Sequence, residues 1–305
     1  MEIALIVLLV LVLGLLALIQ LAPARMTAIG LGLERRRSGL ARKEATVPGF
    51  CMPYLEGGSG TPLILVHGFA GDKDNFTRMA RWLTPHYRVI LPDLPGFGEA
   101  GRDPAALYTI DAQVERLRQF CDALGLERID LGGNSMGGFI AAQFCAMYPE
   151  RVRSVWLLDN AGTEASLDTD IVAHYKATGE MPLLLSSLDG VEAMVRAVAT
   201  RPIFMPGFVK RTLGARAMAD FALHTKIMQD FQDSPMLEAR YRDIPVPALV
   251  LWGREDKVLS VKAAAVTAAL FAKSQVVIIE RMGHVPMLEA PRASARIYLD
   301  FARSL

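Results

Sequence analysis

The chain has 305 residues, 52% of them hydrophobic, and 33 basic against 32 acidic side chains leave a net charge of +1. Near-neutrality excludes a nucleic-acid binder with a basic face, and equally an acidic disordered chain. Three cysteines (Cys51, Cys121 and Cys145) are too few for a disulfide scaffold and lack metal-ligand spacing.

Residues 3–22 read IALIVLLVLVLGLLALIQLA, with no charge and one polar side chain, Gln20. At 1.5 Å per residue such a helix spans about 30 Å, the thickness of a bilayer's hydrocarbon core. A secretory signal peptide would need a basic start, a shorter apolar run and a small-residue cleavage site. Only Met1 and Glu2 precede the run, and Leu21-Ala22-Pro23-Ala24 is a poor site of that kind. A buried soluble helix is rarely apolar on every side. The sequence therefore predicts a single-pass transmembrane anchor over residues 1–24. Gly14 alone makes no G-x-x-x-G motif, so a homodimer through the anchor stays an open option. Arg25, Arg35, Arg36, Arg37, Arg42 and Lys43 follow the run, which favours a cytoplasmic over a periplasmic globular domain. The Arg35-Arg36-Arg37 triplet reads as a contact to anionic headgroups or as a solvated charge run. Residues 25–61 read as a juxtamembrane linker and the first strands.

From Pro62 onward, near-continuous apolar runs at 63–67, 88–92, 129–133, 154–158, 248–252 and 276–280 read as strands of a parallel sheet covered on both faces. Helical patterns lie between and after them at 110–124, 136–147 and 291–302. This alternation predicts a doubly wound, mostly parallel α/β sheet, with functional residues in loops at the carboxyl ends of the strands. Residues 163–242 show no strand pattern and are rich in Leu, Met, Phe and Ala, as in MPLLL (181–185) and PIFMPGF (202–208). They read as a helical cap inserted between two core segments, 62–162 and 243–305.

Gly133, Ser135 and Gly137 form G-x-S-x-G where a predicted strand meets a predicted helix. A sharp strand–helix turn presents the serine oxygen at the sheet edge and needs glycines on both sides. A serine hydroxyl is a weak nucleophile without a base. Of the five histidines, His67, His86, His174, His224 and His284, the last follows Gly283 in the loop after the last strand, within reach of the same edge. Asp256, just after the strand 248–252, is the candidate for orienting the imidazole; Asp159, after the strand 154–158, competes for that role. Glu255 would point elsewhere from the same turn, and Asp93 reads as structural. The N–H groups of Phe69, after His67-Gly68, and of Met136, at the helix start, are candidates for an oxyanion hole.

Together, His67-Gly68-Phe69-Ala70-Gly71-Asp72-Lys73-Asp74-Asn75-Phe76, Leu91-Pro92-Asp93-Leu94-Pro95-Gly96-Phe97-Gly98, Asn134-Ser135-Met136-Gly137-Gly138 and Gly283-His284 resemble the α/β-hydrolase superfamily. The resemblance points to its monoacylglycerol lipase branch, with the membrane-anchored bacterial lipases and phospholipases A. It implies an α/β-hydrolase fold, a Ser135/Asp256/His284 triad, oxyanion donors at Phe69 and Met136, no cofactor and no metal. It also implies a bacterial inner-membrane setting. The expected activity is hydrolysis of acyl esters of glycerolipids, with a lipid or acyl-ester substrate and the bilayer as partners and no nucleic acid. A C–C bond hydrolase of ring-cleavage products would use the same elbow, and a catalytically inert lipid-binding module is the non-enzymatic alternative. Serine in place of aspartate at position 135 disfavours dehalogenase and epoxide hydrolase chemistry.

Overall fold

The computed structural model describes residues 1–305, apart from the side chains at 11, 12, 15 and 16. Eight strands form one sheet: β1 (Leu40–Val47), β2 (Phe50–Gly57), β3 (Pro62–Val66), β4 (Arg88–Pro92), β5 (Ile129–Asn134), β6 (Val152–Leu158), β7 (Ala248–Gly253) and β8 (Ser274–Ile279). Their order across the sheet is β1-β2-β4-β3-β5-β6-β7-β8. Only the pairings of β1 with β2 and of β2 with β4 are antiparallel. The remaining pairings are parallel.

Each central strand feeds two cores, because successive side chains leave a strand on opposite faces. Ile64, Val66, Leu131, Val155, Leu157, Val250 and Trp252 face one core. Leu63, Leu65, Trp156, Leu158, Leu249 and Leu251 face the other, where Trp156 stacks on Tyr298 of the C-terminal helix at 4.7 Å. Double coverage is why these strands read as unbroken apolar runs. Where the sheet is half open the pattern changes. β8 begins at Ser274, two residues before the apolar run, because the first half of this edge strand is exposed and tolerates Ser274 and Gln275, which pair with Ala248 and Leu249. β3 stops at Val66, since the His67 imidazole accepts the Leu94 N–H at 3.0 Å and the chain turns there.

Between β6 and β7, among the described residues, the chain is helical without a strand: Asp170–Thr178, Gly190–Val198, Gly207–Ala219, Phe221–Gln232 and Leu237–Arg240. At the other end of the chain, Glu2–Leu21 form one 20-residue helix whose side chains from Ile3 to Val10 stand exposed. The expected bilayer span falls on this helix and includes positions 11, 12, 15 and 16, which lie outside the described side chains. Among the described residues no helix is long and apolar enough to cross a membrane.

The expected linker is instead a second helix, Pro23–Arg37, with Pro23 at its first position. It lies on the helix Gly207–Ala219, where the Thr27 hydroxyl meets the Thr212 hydroxyl at 3.0 Å. Arg35 is neither a headgroup contact nor part of a solvated run. Its guanidinium donates twice to Asp74, at 2.7 and 2.6 Å. Only Arg36 and Arg37 of the triplet are exposed.

Beside Asp74, Lys73 is 1% exposed. Its Nζ lies 2.8 Å from Asp93 Oδ2 and 2.8 Å from Glu99 Oε1. Asp93 also accepts the Lys73 and Glu99 N–H groups, fixing the β4 loop against the β3 loop. Burial pushes the Glu99 carboxyl up, but hydrogen bonds from Lys73 and Arg42 prevail and hold it at about 2. Replacing Lys73 with Met should strand the buried Asp93 charge and cost about 3–5 kcal/mol. Urea unfolding checks this; a loss below about 1 kcal/mol, the scale of an exposed pair, would contradict it.

Candidate active site

Ser135 follows β5 at φ 56° and ψ −121° and caps the helix Met136–Met147. Such a backbone costs a non-glycine residue of order 1–3 kcal/mol. Its neighbours leave no alternative path: a Cβ on Gly133 would sit 2.2 Å from Gly137 O, and one on Gly137 would sit 2.2 Å from Val66 O. The Ser135 N–H donates to Leu158 O at 3.1 Å, and its carbonyl accepts from Phe139 at 3.1 Å and Ala161 at 3.0 Å. The turn is thereby pinned to β6 and to its own helix, with the serine 8% exposed.

His284, in the loop after β8, is 3% exposed. Its Nδ1 lies 2.7 Å from Asp256 Oδ2. Asp256 Oδ1 accepts the Val258 and Leu259 N–H groups at 2.8 and 3.0 Å. A carboxylate held this way keeps the imidazole proton on Nδ1 and leaves Nε2 as the basic position. Asp159, the competing acid, does not take the histidine, and Glu255 is exposed.

Two residues that the sequence reading missed hold this loop. Asn134 Nδ2 donates to His284 O at 2.9 Å and to Leu158 O at 3.1 Å. Glu289 accepts the N–H groups of Gly283 (3.0 Å), Thr200 (2.9 Å) and Arg201 (2.7 Å). Asn134 has a sequence cue in its place next to the serine. A carboxylate collecting backbone N–H groups from two distant segments has none.

After β3, the turn at Gly68 lies against the serine: a Cβ there would be 3.0 Å from the Ser135 Cβ. Among the described residues, neither the Phe69 nor the Met136 N–H has an acceptor within the protein. His67 donates from Nδ1 to Gly68 O at 2.8 Å while Nε2 accepts from Leu94, and burial pushes its pKa down, so it is a neutral structural group. His86 and His174 are exposed. His224 is buried and stacks on Phe97 at 5.1 Å.

Ser135, Asn134, Phe69 and His284 all line one cavity of about 400 Å³. Its walls are mainly apolar, with Leu183, Leu185, Val191, Met194, Val195 and Leu213 from residues 163–242. Gly30, Leu31 and Glu34 of the second helix also line it. Pockets of this size and lining take small apolar ligands. Asp159, Asp256 and His284 bring one donor atom each within 4.8 Å of one another, the one such trio among the described residues. Within that trio His284 Nδ1 and Asp256 Oδ2 already form a hydrogen-bonded pair.

Residues 61–291 match the family model described as the alpha/beta hydrolase fold. The chain is 37% identical over 279 residues to Lipase 1 of Psychrobacter immobilis, covering 88% of this chain and 86% of that one. It is 28% identical over 297 residues to monoacylglycerol lipase abhd6-B of Xenopus laevis, covering 93% and 88% respectively. Among solved structures, a membrane phospholipase A described as a bacterial virulence factor superposes with a TM-score of 0.90 at 37% identity, over 100% of this chain and 99% of that one. With the eight-stranded sheet, the serine turn and the histidine loop in place, the chain belongs to the α/β-hydrolase fold family.

Proposed function

We propose that the protein is a membrane-tethered serine hydrolase that cleaves acyl esters of glycerolipids, of the monoacylglycerol lipase, lipase or phospholipase A type, through an acyl-serine intermediate. The observation that carries this reading is the His284–Asp256 pair at 2.7 Å, with His284 and Ser135 lining one apolar cavity. Kinship with lipases puts the reaction among carboxylic-ester hydrolyses.

In this reading His284 Nε2 takes the Ser135 proton as the oxygen attacks the ester carbonyl. The Phe69 and Met136 N–H groups hold the oxyanion that forms. Asp256 keeps the ring in the right tautomer and stabilises the imidazolium. His284 then protonates the departing alcohol, and water activated by the same nitrogen frees the fatty acid. The apolar walls take the acyl chain, and the methionine and leucine side chains from the cap (163–242) tolerate varied chain shapes. The apolar helix Glu2–Leu21 lies in the bilayer, which puts the second helix, and the part of the cavity it lines, near the lipid. Ring-cleavage C–C hydrolysis would use the same groups, but the apolar helix gives it no advantage.

Ser135→Ala should lower kcat by about 10⁴-fold or more and abolish labelling by a fluorophosphonate probe. Asp256→Asn, which favours the wrong tautomer, should lower kcat by about 10⁴-fold with KM little changed. Persistence of labelling or turnover in the Ser135 variant would overturn the assignment. Profiling p-nitrophenyl esters of increasing chain length against a ring-cleavage dienoate separates the substrate classes: the proposal expects medium or long acyl esters to be preferred and the dienoate to be untouched.

A further inference from the structure

Asp159 stands at the end of β6 in a left-handed conformation, φ 44°, with its N–H donating to Leu251 O at 2.9 Å. It is fully buried. Its Oδ1 accepts the Gly253 N–H at 2.7 Å, while Oδ2 has no partner among the described residues. One of its oxygens lies within 4.8 Å of an Asp256 oxygen and of a His284 nitrogen. The Asp256 side chain is also fully buried. Among the described residues, no lysine or arginine pairs with either carboxyl.

Two carboxylates this close and this dry cannot both be ionised. Their hydrogen bonds decide which one keeps the proton. Asp256 accepts three, from Val258, Leu259 and His284, as an anion does. Asp159 accepts one, and an orphaned buried oxygen is the expected mark of a hydroxyl whose acceptor is another carboxyl. Asp159 is therefore the acid.

We infer that Asp159 is a positioning residue: it carries a proton on Oδ2 and donates it to the Asp256 carboxylate, holding that group against His284. The inference rests on the proposed role of Asp256 and deepens it. The groups facing Asp159 are Asp256, His284 and, farther off, Glu289. Burial, together with the Asp256 charge, pushes the Asp159 carboxyl well above its usual range. With the proton in place, one anion rather than two faces the imidazole, and Asp256 is held on both of its sides.

The test uses Asp159→Asn and Asp159→Leu in the full-length protein. The asparagine can still accept from Gly253 and donate to Asp256, so its kcat should stay within about threefold of the parent. The leucine can do neither and should lose about 10–10² in kcat with KM unchanged, the scale of a misplaced catalytic group. Equal losses in both variants, or none in either, would overturn the positioning role.

Thermal unfolding reads the proton without using activity. An unfolded aspartate releases its proton above about pH 3.9, whereas the native one keeps it. Between those two pKa values the native state binds more protons, so its stability falls as pH rises. The Tm advantage of Asp159→Asn over the parent should therefore widen as pH rises from about 4.5, until the native carboxyl itself ionises. A pH-independent gap would place an ionised Asp159 in the native protein and overturn the inference. If the gap widens while Ser135→Ala keeps its turnover, the Asp159 proton stands, but the catalytic reading and the positioning role that rests on it both fall.

Discussion

The backbone of Ser135 is the constraint on which the rest of the site depends. A serine at positive φ is unfavourable on its own, and it persists because its surroundings permit nothing else. Gly137 lets the helix Met136–Met147 run against the Val66 carbonyl, and Gly133 lets the turn fold back on itself. The parallel sheet supplies the other half of the constraint. β3, β5, β6, β7 and β8 all end on one edge, so Phe69, Ser135, Asp159, Asp256 and His284 converge although up to 215 residues separate them in the chain.

Charge is handled differently at the two ends of this edge. On the β3–β4 side, Lys73 and Arg35 neutralise Asp93, Glu99 and Asp74 beneath the loop that carries Phe69. The helix Pro23–Arg37 thus braces both this loop and the helix Gly207–Ala219. On the β6–β7 side no such cation is present among the described residues. Backbone N–H groups and the proton proposed on Asp159 take its place, which leaves His284 as the group that would charge in the proposed mechanism.

Much of this was legible in the primary structure because the physics is local. Strands buried on both faces must be apolar throughout, which reveals all six predicted core strands to within two residues of their starts. The G-x-S-x-G spacing is likewise a direct record of close backbone approaches. What stayed hidden depends on partners far away in the chain. Arg35 reads as one of three exposed arginines until the fold brings Asp74 to it. Glu289 reads as an ordinary helix-end acid until the segments around Thr200 and Gly283 converge on it. β8 was placed two residues late because an edge strand may begin with polar residues. Asp159 was visible as an acid at a strand end, but its relation to Asp256 is set by the sheet order.

The proposed chemistry requires Ser135 to become covalently acylated in the cavity it shares with His284. Acid-quenching the enzyme during turnover of an acyl ester, followed by intact-mass and peptide mass spectrometry, tests it most directly. A single adduct with the mass of the substrate's acyl group, located at Ser135, is expected. An acyl group found at another residue, or turnover with no covalent adduct at any quench time and an unreactive Ser135, would contradict it.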